Sequence, residues 1–339
     1  MTTTISSLLE KAIQARASLF DARHESAFRL FNGFTEGNPD LVIDLYASTL
    51  VIHNYADDPG QGQSLVEQAR QFLLGKLIWL RAGIVKTRNA PSQAERRGKL
   101  LFGERPDTKV KEHGVWYSID LTMNRDASFY LDTRNLRQWL IENMQGRTAL
   151  NTFAYTGSLG VAALAGEATR VVQHDLNRQF LNVAKTSCTL NGLPIRKEDF
   201  VAADFFTLAG RFKHAKQTFD CVLIDPPFFS ATPKGRVDQV SESARLINKV
   251  RPLVDDGGWL IAINNALYVS GNEYMQTLEE LCQDGYLKIQ ELIPVPQDFT
   301  GYPETRQGQP ITDPAPFNHS TKIAVLQVKR KTKAEKQDV

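Results

Sequence analysis

Beyond residue 135 the chain repeats a pattern that few folds satisfy: apolar runs of roughly six residues alternate with helical patterns of roughly 10 to 18. The runs fall at 148–153, 170–174, 200–203, 219–224, 259–263, 288–293 and 322–329. Strands that are apolar at nearly every position must be covered on both faces, and the intervening helices supply the cover. The spacing therefore predicts an α/β domain built on a doubly wound, mostly parallel sheet. Ligands of such sheets sit outside the carboxyl ends of the strands, where the strand order reverses. The loop 153–160, Asp175, Asp204, Asp225 and Asn264 all fall at such ends.

Upstream the texture differs. Ile5, Leu8, Leu9, Ala12, Ile13, Leu19 and Phe20 recur at helical spacing, and Ser7 with Glu10 reads as a capping box. Apolar runs at 41–46 and 49–55, joined by Ala47 and Ser48, predict a hairpin. A helix near 64–74 and strands at 78–87, 108–112 and 115–121 follow, the last two turning at His113 and Gly114. Residues 1–122 are thus expected to form a smaller N-terminal α+β domain that can contact RNA. Residues 123–332 form the doubly wound domain, and 333–339 a basic, polar tail.

With 339 residues, 42% of them hydrophobic and 23% charged, the chain suits about two soluble domains. A formal net charge of +2 gives no global field for nucleic acid, so basic surface must be local, at 88–99 or 329–333. Cys188, Cys221 and Cys282 are too far apart for a metal or redox CxxC motif, and their odd number argues against a disulfide framework. No metal site is expected. No run approaches the roughly 18 apolar residues of a membrane span, and the N-terminus lacks a signal core. A cytoplasmic protein with no membrane partner is expected, and the sequence is compatible with a homodimer.

NTFAYTGSLG at 151–160 places a small-residue turn after the first strand of the larger domain, and Asp175 ends the next strand. Such a turn admits a bulky nucleoside close to the backbone, and the acid can hold two ribose hydroxyls. The turn lacks the three glycines of a dinucleotide site, and no phosphate-cradling GxxxxGK[ST] loop occurs. A methionine-linked nucleoside has no phosphate and needs neither, which favours S-adenosylmethionine over a nicotinamide cofactor. Asp225, Pro226, Pro227 and Phe228 then offer a carboxylate, carbonyls and an aromatic face to a flat base. Each element also has a plainer role: Asp175 and Asp204 suit helix N-caps, and a DPP sequence suits a stiff turn.

FYLDTR at 129–134, NxFxYTG at 151–157, Asp175, LNGL at 190–193 and DxxxxDPPxF at 220–229 together resemble the bacterial 23S rRNA large-subunit methyltransferases, the branch acting on cytosine C5 or guanine N7. The match spans 112–330. The resemblance implies a Rossmann-like doubly wound class I methyltransferase sheet with a small β-rich domain before it. It also implies S-adenosylmethionine as cofactor and an RNA target, 23S rRNA or a large-subunit precursor. By the same resemblance Tyr130, Asp132 and Arg134 approach the cofactor from before the sheet. Phe153, Tyr155, Thr156 and Gly157 pass along its methionine part, Asp175 takes the ribose, and Asp204 with Phe205 takes the adenine. Some relatives carry a further RNA-binding domain in front, for which this N-terminus is expected to be too short.

Methylating cytosine C5 requires a thiolate that attacks C6. The cytosine-C5 relatives carry that cysteine at the end of the strand after Asp-Pro-Pro, where this chain reads IAINN at 261–265. Cys188, Cys221 and Cys282 read instead as small buried hydrophobes. The expected chemistry is direct in-line methylation of a base nitrogen, guanine N7 or an exocyclic amine, at a site where positioning supplies the acceleration. Asp225 and the Pro226 carbonyl would accept N–H bonds from an amine, and Phe228 or Phe229 would stack on the base. Asn264 and Asn265 would meet the base edge, and Lys234 and Arg236 the phosphates. Beside this stand cytosine-C5 methylation, a protein or small-molecule methyltransferase, and a non-catalytic RNA-binding assembly factor. The Pro- and Gly-rich segment 294–320 is expected to be a lid or target-recognition loop.

Overall fold

The computed structural model describes residues 4–330. Two compact units divide the chain: Met1–Arg134 with Pro296–Pro310, and Asn135–Val295 with Ile311–Val339.

The first unit opens with helix α1 (Ile5–Ala15), which buries Ile5, Leu8, Leu9 and Ala12. Its cap is Thr4, whose side chain accepts from the Ser7 N–H, so the expected box at Ser7 and Glu10 does not form. A hydroxyl directly before the first apolar residue starts the helix earlier and leaves Ser7 inside it. Strand β1 (Ala27–Asn32), the one-turn helix α2 (Gly33–Glu36), and strands β2 (Leu41–Tyr46) and β3 (Thr49–Asn54) follow. Helix α3 (Pro59–Lys76) crosses over to β4 (Ala82–Thr87), and α4 (Gln93–Arg97) leads to β5 (Lys99–Phe102). The sheet runs β1-β2-β3-β4-β5. Only the β3–β4 pair, joined through α3, is parallel, as a helical crossover requires. Residues of α1 and α3, among them Leu9, Ala12, Ala69 and Leu73, pack with Phe28, Leu30, Ile43 and Ile52 in one core. A separate hairpin pairs β6 (Lys109–Glu112) with β7 (Val115–Ser118), turning at His113 and Gly114, both at positive φ.

The sequence puts the boundary near residue 122, yet the first compact unit extends to Arg134. Residues 123–131 look like a polar linker but are tied in. Tyr46 Oη donates to the Phe129 carbonyl at 3.0 Å, Lys86 Nζ donates to the Asn124 carbonyl at 2.9 Å, and Phe129 and Leu131 are buried.

The same unit includes 296–310, from the segment expected to be a lid. Asp298, in the short helix Gln297–Thr300, is 1% exposed. Its Oδ2 accepts the Arg29 backbone N–H at 2.8 Å and Arg134 Nη2 at 2.7 Å, while Oδ1 accepts Arg134 Nη1 at 3.1 Å. The Asn32 amide donates to the Phe299 carbonyl, and the Gln307 N–H to the Thr35 carbonyl, both at 2.7 Å. A segment held by a buried carboxylate and backbone bonds is a structural part of this unit rather than a loose lid.

The second unit contains α5 (Arg134–Asn143), β8 (Thr148–Thr152), α6 (Ser158–Ala165), β9 (Arg170–Asp175), α7 (Arg178–Leu190), β10 (Phe200–Ala202), α8 (Phe205–His214) and β11 (Phe219–Ile224). After β11 come β12 (Phe229–Thr232), β13 (Gly235–Asp238), α9 (Ser243–Val250), β14 (Val254–Asn264), α10 (Gly271–Cys282), β15 (Leu287–Leu292) and β16 (Lys322–Val328). The seven-stranded sheet has the order β10-β9-β8-β11-β14-β16-β15. Its first five strands are parallel, and β16 pairs antiparallel with both β14 and β15. The chain winds outward from β8 to β10, then returns to place β11 on the other side of β8, so the switch point lies between β8 and β11. Leu150, Val172, Val222, Leu260 and Leu326 share a core with Leu208, Phe212, Leu246 and Leu278.

Strand β14 starts five residues earlier than 259–263 predicts, because Gly257 at φ 75° lets the ladder shift register rather than end. The β12–β13 hairpin, with strands of four residues each, was not expected; its residues pair from Phe229–Asp238 to Thr232–Gly235. A complete capping box occurs at Ser270 and Glu273. Of the basic run 329–333, residues from 331 on lie outside the described residues, as does the tail 333–339. Arg330 is structural, its Nε donating to the Val254 carbonyl at 2.8 Å. Among the described residues no helix is long and apolar enough to cross a membrane.

Candidate active site

The loop after β8 is a strained turn held in place by β9. Phe153 and Tyr155 adopt φ of 54° and 51°, a region that non-glycine residues rarely occupy. Such backbone persists only when neighbours fix it, and it clusters at functional sites. The fixing bonds run to the strand end: the Ala154 N–H donates to the His174 carbonyl at 2.7 Å, and the Tyr155 N–H to Asp175 Oδ2 at 2.9 Å. Gly157, at φ 76°, caps α6. A Cβ there would lie 2.4 Å from that of Ala184, and one at Gly160 would lie 2.3 Å from the Gln173 amide. Gly157 thus lets the turn approach helix α7, and Gly160 lets α6 approach strand β9. Gln173 completes the cradle by accepting from Asn151 at 2.9 Å and donating to the Gly157 carbonyl at 3.1 Å. Thr156 is buried, and the Tyr155 ring meets Phe180 edge-on at 4.6 Å.

Asp175 orders two segments at once. Oδ1 accepts the Asn177 N–H at 2.8 Å and Oδ2 accepts that of Tyr155. The cap of α7 is Asn177, not Asp175. The Leu176 N–H also bonds this carboxylate; with about four lone-pair positions, it keeps acceptor capacity for a hydroxyl. Burial, the larger effect, raises its carboxyl above the usual range against these N–H bonds.

Asp204 caps α8, Oδ1 accepting the Thr207 N–H at 3.0 Å, while Oδ2 accepts the Thr232 hydroxyl at 2.6 Å. Both oxygens are engaged, and the second bond ties the β12–β13 hairpin to α8. The Phe205 side chain lies in the core, 4% exposed, its ring 4.6 Å from that of Phe153. An adenine contact from Phe205 would thus come from its backbone. His174, between these groups, is 1% exposed; Nε2 bonds the Ala203 carbonyl at 2.9 Å and Nδ1 has no partner. Burial pushes His174 down to about 4. The ring is therefore neutral, and Nδ1 is an acceptor beside the cradle.

At the end of β11, Asp225 is half-buried, Pro226 buried, and Pro227 exposed. Phe228 and Phe229 are 51% and 56% exposed. Large aromatic rings held open on a short turn suit stacking better than core packing. Burial, followed by the charge of Asp225, drives the Tyr274 phenol far up, so it stays protonated.

One residue that sequence reading passed over organises this edge. Gln239 is 1% exposed, and its Nε2 donates to the Pro226 carbonyl while its Oε1 accepts the Asn265 N–H at 2.8 Å. Its backbone N–H donates to the Phe228 carbonyl at 3.1 Å and its carbonyl accepts Asn264 Nδ2 at 3.0 Å. Gln239 thus ties the acceptor loop to the end of β14. No pattern around 239 signals this.

Asn264 does not present its amide to a base. It is 1% exposed, donating to Gln239 and Ser243 and accepting the Ala266 N–H at 3.0 Å. Asn265 is exposed. Lys322 holds the loop that follows, its Nζ donating to the Ala266, Val269 and Ser320 carbonyls at 3.0, 3.1 and 2.6 Å. Lys234 is exposed, whereas Arg236 faces Asp238 and Glu242 at 3.9 and 3.6 Å.

Tyr130, Asp132 and Arg134 belong to the first unit. Tyr130 is 43% exposed. Arg134 pairs with Asp298, and at 3.6 Å with Glu112.

No cysteine is placed as a nucleophile. Cys221 is fully buried inside β11 and Cys188 inside α7, and burial pushes their thiols up to about 12 and about 11. Cys282 ends α10, its thiol also raised by burial.

The described groups fit a methionine-linked nucleoside: a strained backbone cradle, a carboxylate with acceptor capacity left, and a buried imidazole acceptor, with no phosphate-binding loop. The family description S-adenosylmethionine-dependent methyltransferase matches residues 39–302. Ribosomal RNA large subunit methyltransferase I of Aeromonas salmonicida is 29% identical over 304 residues, covering 87% of this chain and 76% of the relative. The protein of the same name from Vibrio cholerae is 32% identical over 259 residues, covering 75% and 64%. Among solved structures, the methyltransferase SMU.776 in complex with SAH superposes with a TM-score of 0.82 at 21% identity, covering 95% of this chain and 80% of that one. A SAM-dependent methyltransferase from Agrobacterium tumefaciens gives 0.63 at 16% identity, covering 92% of each.

Proposed function

The chain belongs to the S-adenosylmethionine-dependent methyltransferases, and from that we propose that it methylates a base nitrogen of ribosomal RNA, with 23S rRNA the target and guanine N7 or an exocyclic amine the acceptor. The names of the relatives support the RNA class. The chemistry rests on one observation: the edge formed by β11 and β14 carries Asp225, two open phenylalanines and Asn265, and no cysteine.

S-adenosylmethionine supplies an electrophilic methyl on a sulfonium sulfur. In our reading, Asp175 holds the ribose and the backbone 153–157 lines the methionine part. His174 Nδ1 and the backbone at Asp204 and Phe205 bound the adenine. Phe228 or Phe229 stacks on a base unstacked from the RNA. The base nitrogen then attacks in line, forming N–CH3 as the C–S bond breaks and the bonding pair leaves with sulfur. For an exocyclic amine, Asp225 and the free lone pair of the Pro226 carbonyl accept N–H bonds and direct the nitrogen lone pair, and the Asp225 carboxylate takes the proton released. For guanine N7 no proton leaves, and the site needs only to hold the ring and exclude water.

Mass spectrometry of 23S rRNA from a deletion strain tests the reading. A single lost methyl mark on a base nitrogen, restored by the gene, is the expected result. No lost mark would refute the RNA target, and a mark lost from cytosine C5 would refute the nitrogen.

A further inference from the structure

The first unit holds an open cleft of about 590 Å³ walled by Arg23, His24, Trp79, Arg81, Lys109 and Trp116. We propose that this cleft binds a single-stranded stretch of the RNA substrate, stacking an unpaired base on its tryptophans while its cations hold the neighbouring phosphates. The proposal rests on the ribosomal RNA reading above.

Several observations converge here. His24 lies flat on Trp79, with ring centroids 3.9 Å apart and planes 7° from parallel, so a π-stack is already started in the wall. Lys109 and Lys111 stand 4.3 and 5.3 Å from the centre of the Trp116 ring, which ties positive charge to an aromatic face. His24 sits at φ 54°, and its buried Nδ1 has no hydrogen-bond partner. A strained residue with an orphaned polar atom is a group that a ligand can satisfy. Arg23, Arg81 and Lys109 are exposed.

The charge balance favours an anion. Of the two acids in the wall, Asp107 turns its Oδ2 to the Ser48 N–H, Ser48 hydroxyl and Thr49 hydroxyl at 2.9, 2.7 and 2.8 Å. The wall thus sets three cations, Arg23, Arg81 and Lys109, against two acids, and Lys111 adds positive charge at the Trp116 ring. Stacking platforms beside a positive track are how proteins grip single-stranded nucleic acid with little sequence preference. A protein partner would call for a larger apolar patch, and Ile78, 87% exposed, is the one large aliphatic side chain standing out at the rim.

The test uses the full chain and a fluorescein-labelled single-stranded RNA of about 12 nucleotides, read by anisotropy from about 50 to about 200 mM salt. Arg81→Glu with Lys109→Glu should weaken binding about tenfold or more and flatten the log–log salt slope by about 1.4, two phosphate contacts on a single strand. Trp116→Leu should weaken binding about tenfold with the slope unchanged. Unaltered thermal unfolding would establish that these changes leave the fold intact. Variants that bind like wild type, or a wild type that does not bind the oligonucleotide, overturn the cleft. Methyl transfer to 23S rRNA, run in parallel, separates the two readings. Transfer by wild type with variants unchanged in binding and KM removes the cleft and leaves the rRNA reading. Binding through the cleft without transfer to rRNA removes the rRNA reading and leaves the cleft.

Discussion

Asp175 and Tyr155, twenty positions apart, are joined by a 2.9 Å hydrogen bond in which the Tyr155 N–H donates to Asp175 Oδ2. The bond fixes a positive-φ turn to the end of the neighbouring strand, so in our reading one carboxylate both shapes the proposed cofactor cradle and holds the ribose. Asp175→Ala removes the acceptor for Tyr155 and for the ribose together. Calorimetric titration with S-adenosylmethionine should show affinity down about 10- to 100-fold, the value of one or two charge-assisted hydrogen bonds. Undiminished affinity would remove Asp175 from the cofactor site.

Gln239 is a positioning residue, acting through Pro226 and Asn265. Gln239→Leu leaves the Pro226 carbonyl and Asn265 N–H without these partners and frees the two loops from each other. We expect kcat to fall about 10- to 100-fold, as small misplacements at reacting groups cost that much, with the Kd for S-adenosylmethionine within about twofold. Gln239→Glu keeps the acceptor for Asn265 but loses the donor to Pro226, and should fall between. Equal losses in cofactor binding and kcat would mean a general structural role.

His174 links stability to pH. Above about pH 6.5 it is neutral in both the folded and unfolded chain and contributes no slope. As pH falls from there toward about 4, its folded value, the unfolded chain takes up a proton that the buried ring refuses. Stability is therefore lost across that window, by up to about 3 kcal/mol. Urea unfolding at pH 7 and pH 4.5 should show the difference shrink in His174→Gln. His53, also held down by burial, leaves a residual slope. An undiminished difference in the variant would contradict the neutral assignment.

Asp298 anchors 296–310 through Arg29 and Arg134. Asp298→Ala leaves the Arg134 guanidinium, 12% exposed, to its longer 3.6 Å pair with Glu112 and should destabilise the fold by about 1–3 kcal/mol. Asp298→Asn keeps an acceptor for the Arg29 N–H and should cost less. A midpoint of denaturation unmoved by either change would restore the view of this segment as a detachable lid.

Most strands of the larger sheet were legible because they carry apolar runs bounded by turn chemistry, β15 (LKIQEL) by alternation instead, and Asp175 and Asp225 were legible because they end two strands. What escaped depends on distant partners. The β12–β13 ribbon has strands of only four residues, too short for a periodic signal to mark it. Residues 296–310 read as a free loop because the groups that hold Asp298, Arg29 and Arg134, lie more than 160 positions away in sequence. Asn264 looked like a base-edge ligand until its amide was found bonded to Gln239 and Ser243. Gln239 itself is an ordinary glutamine in a polar stretch, and its importance comes from the two loops that meet over it.

The most direct test of direct nitrogen methylation is base-mapped transfer of labelled methyl from S-adenosylmethionine to 23S rRNA lacking the mark, by wild type and Asp225→Ala. The account predicts label on a base nitrogen, with the rate lowered about 100-fold or more in the variant while cofactor affinity is largely kept. Label at cytosine C5, or an Asp225→Ala enzyme as fast as wild type, would contradict it.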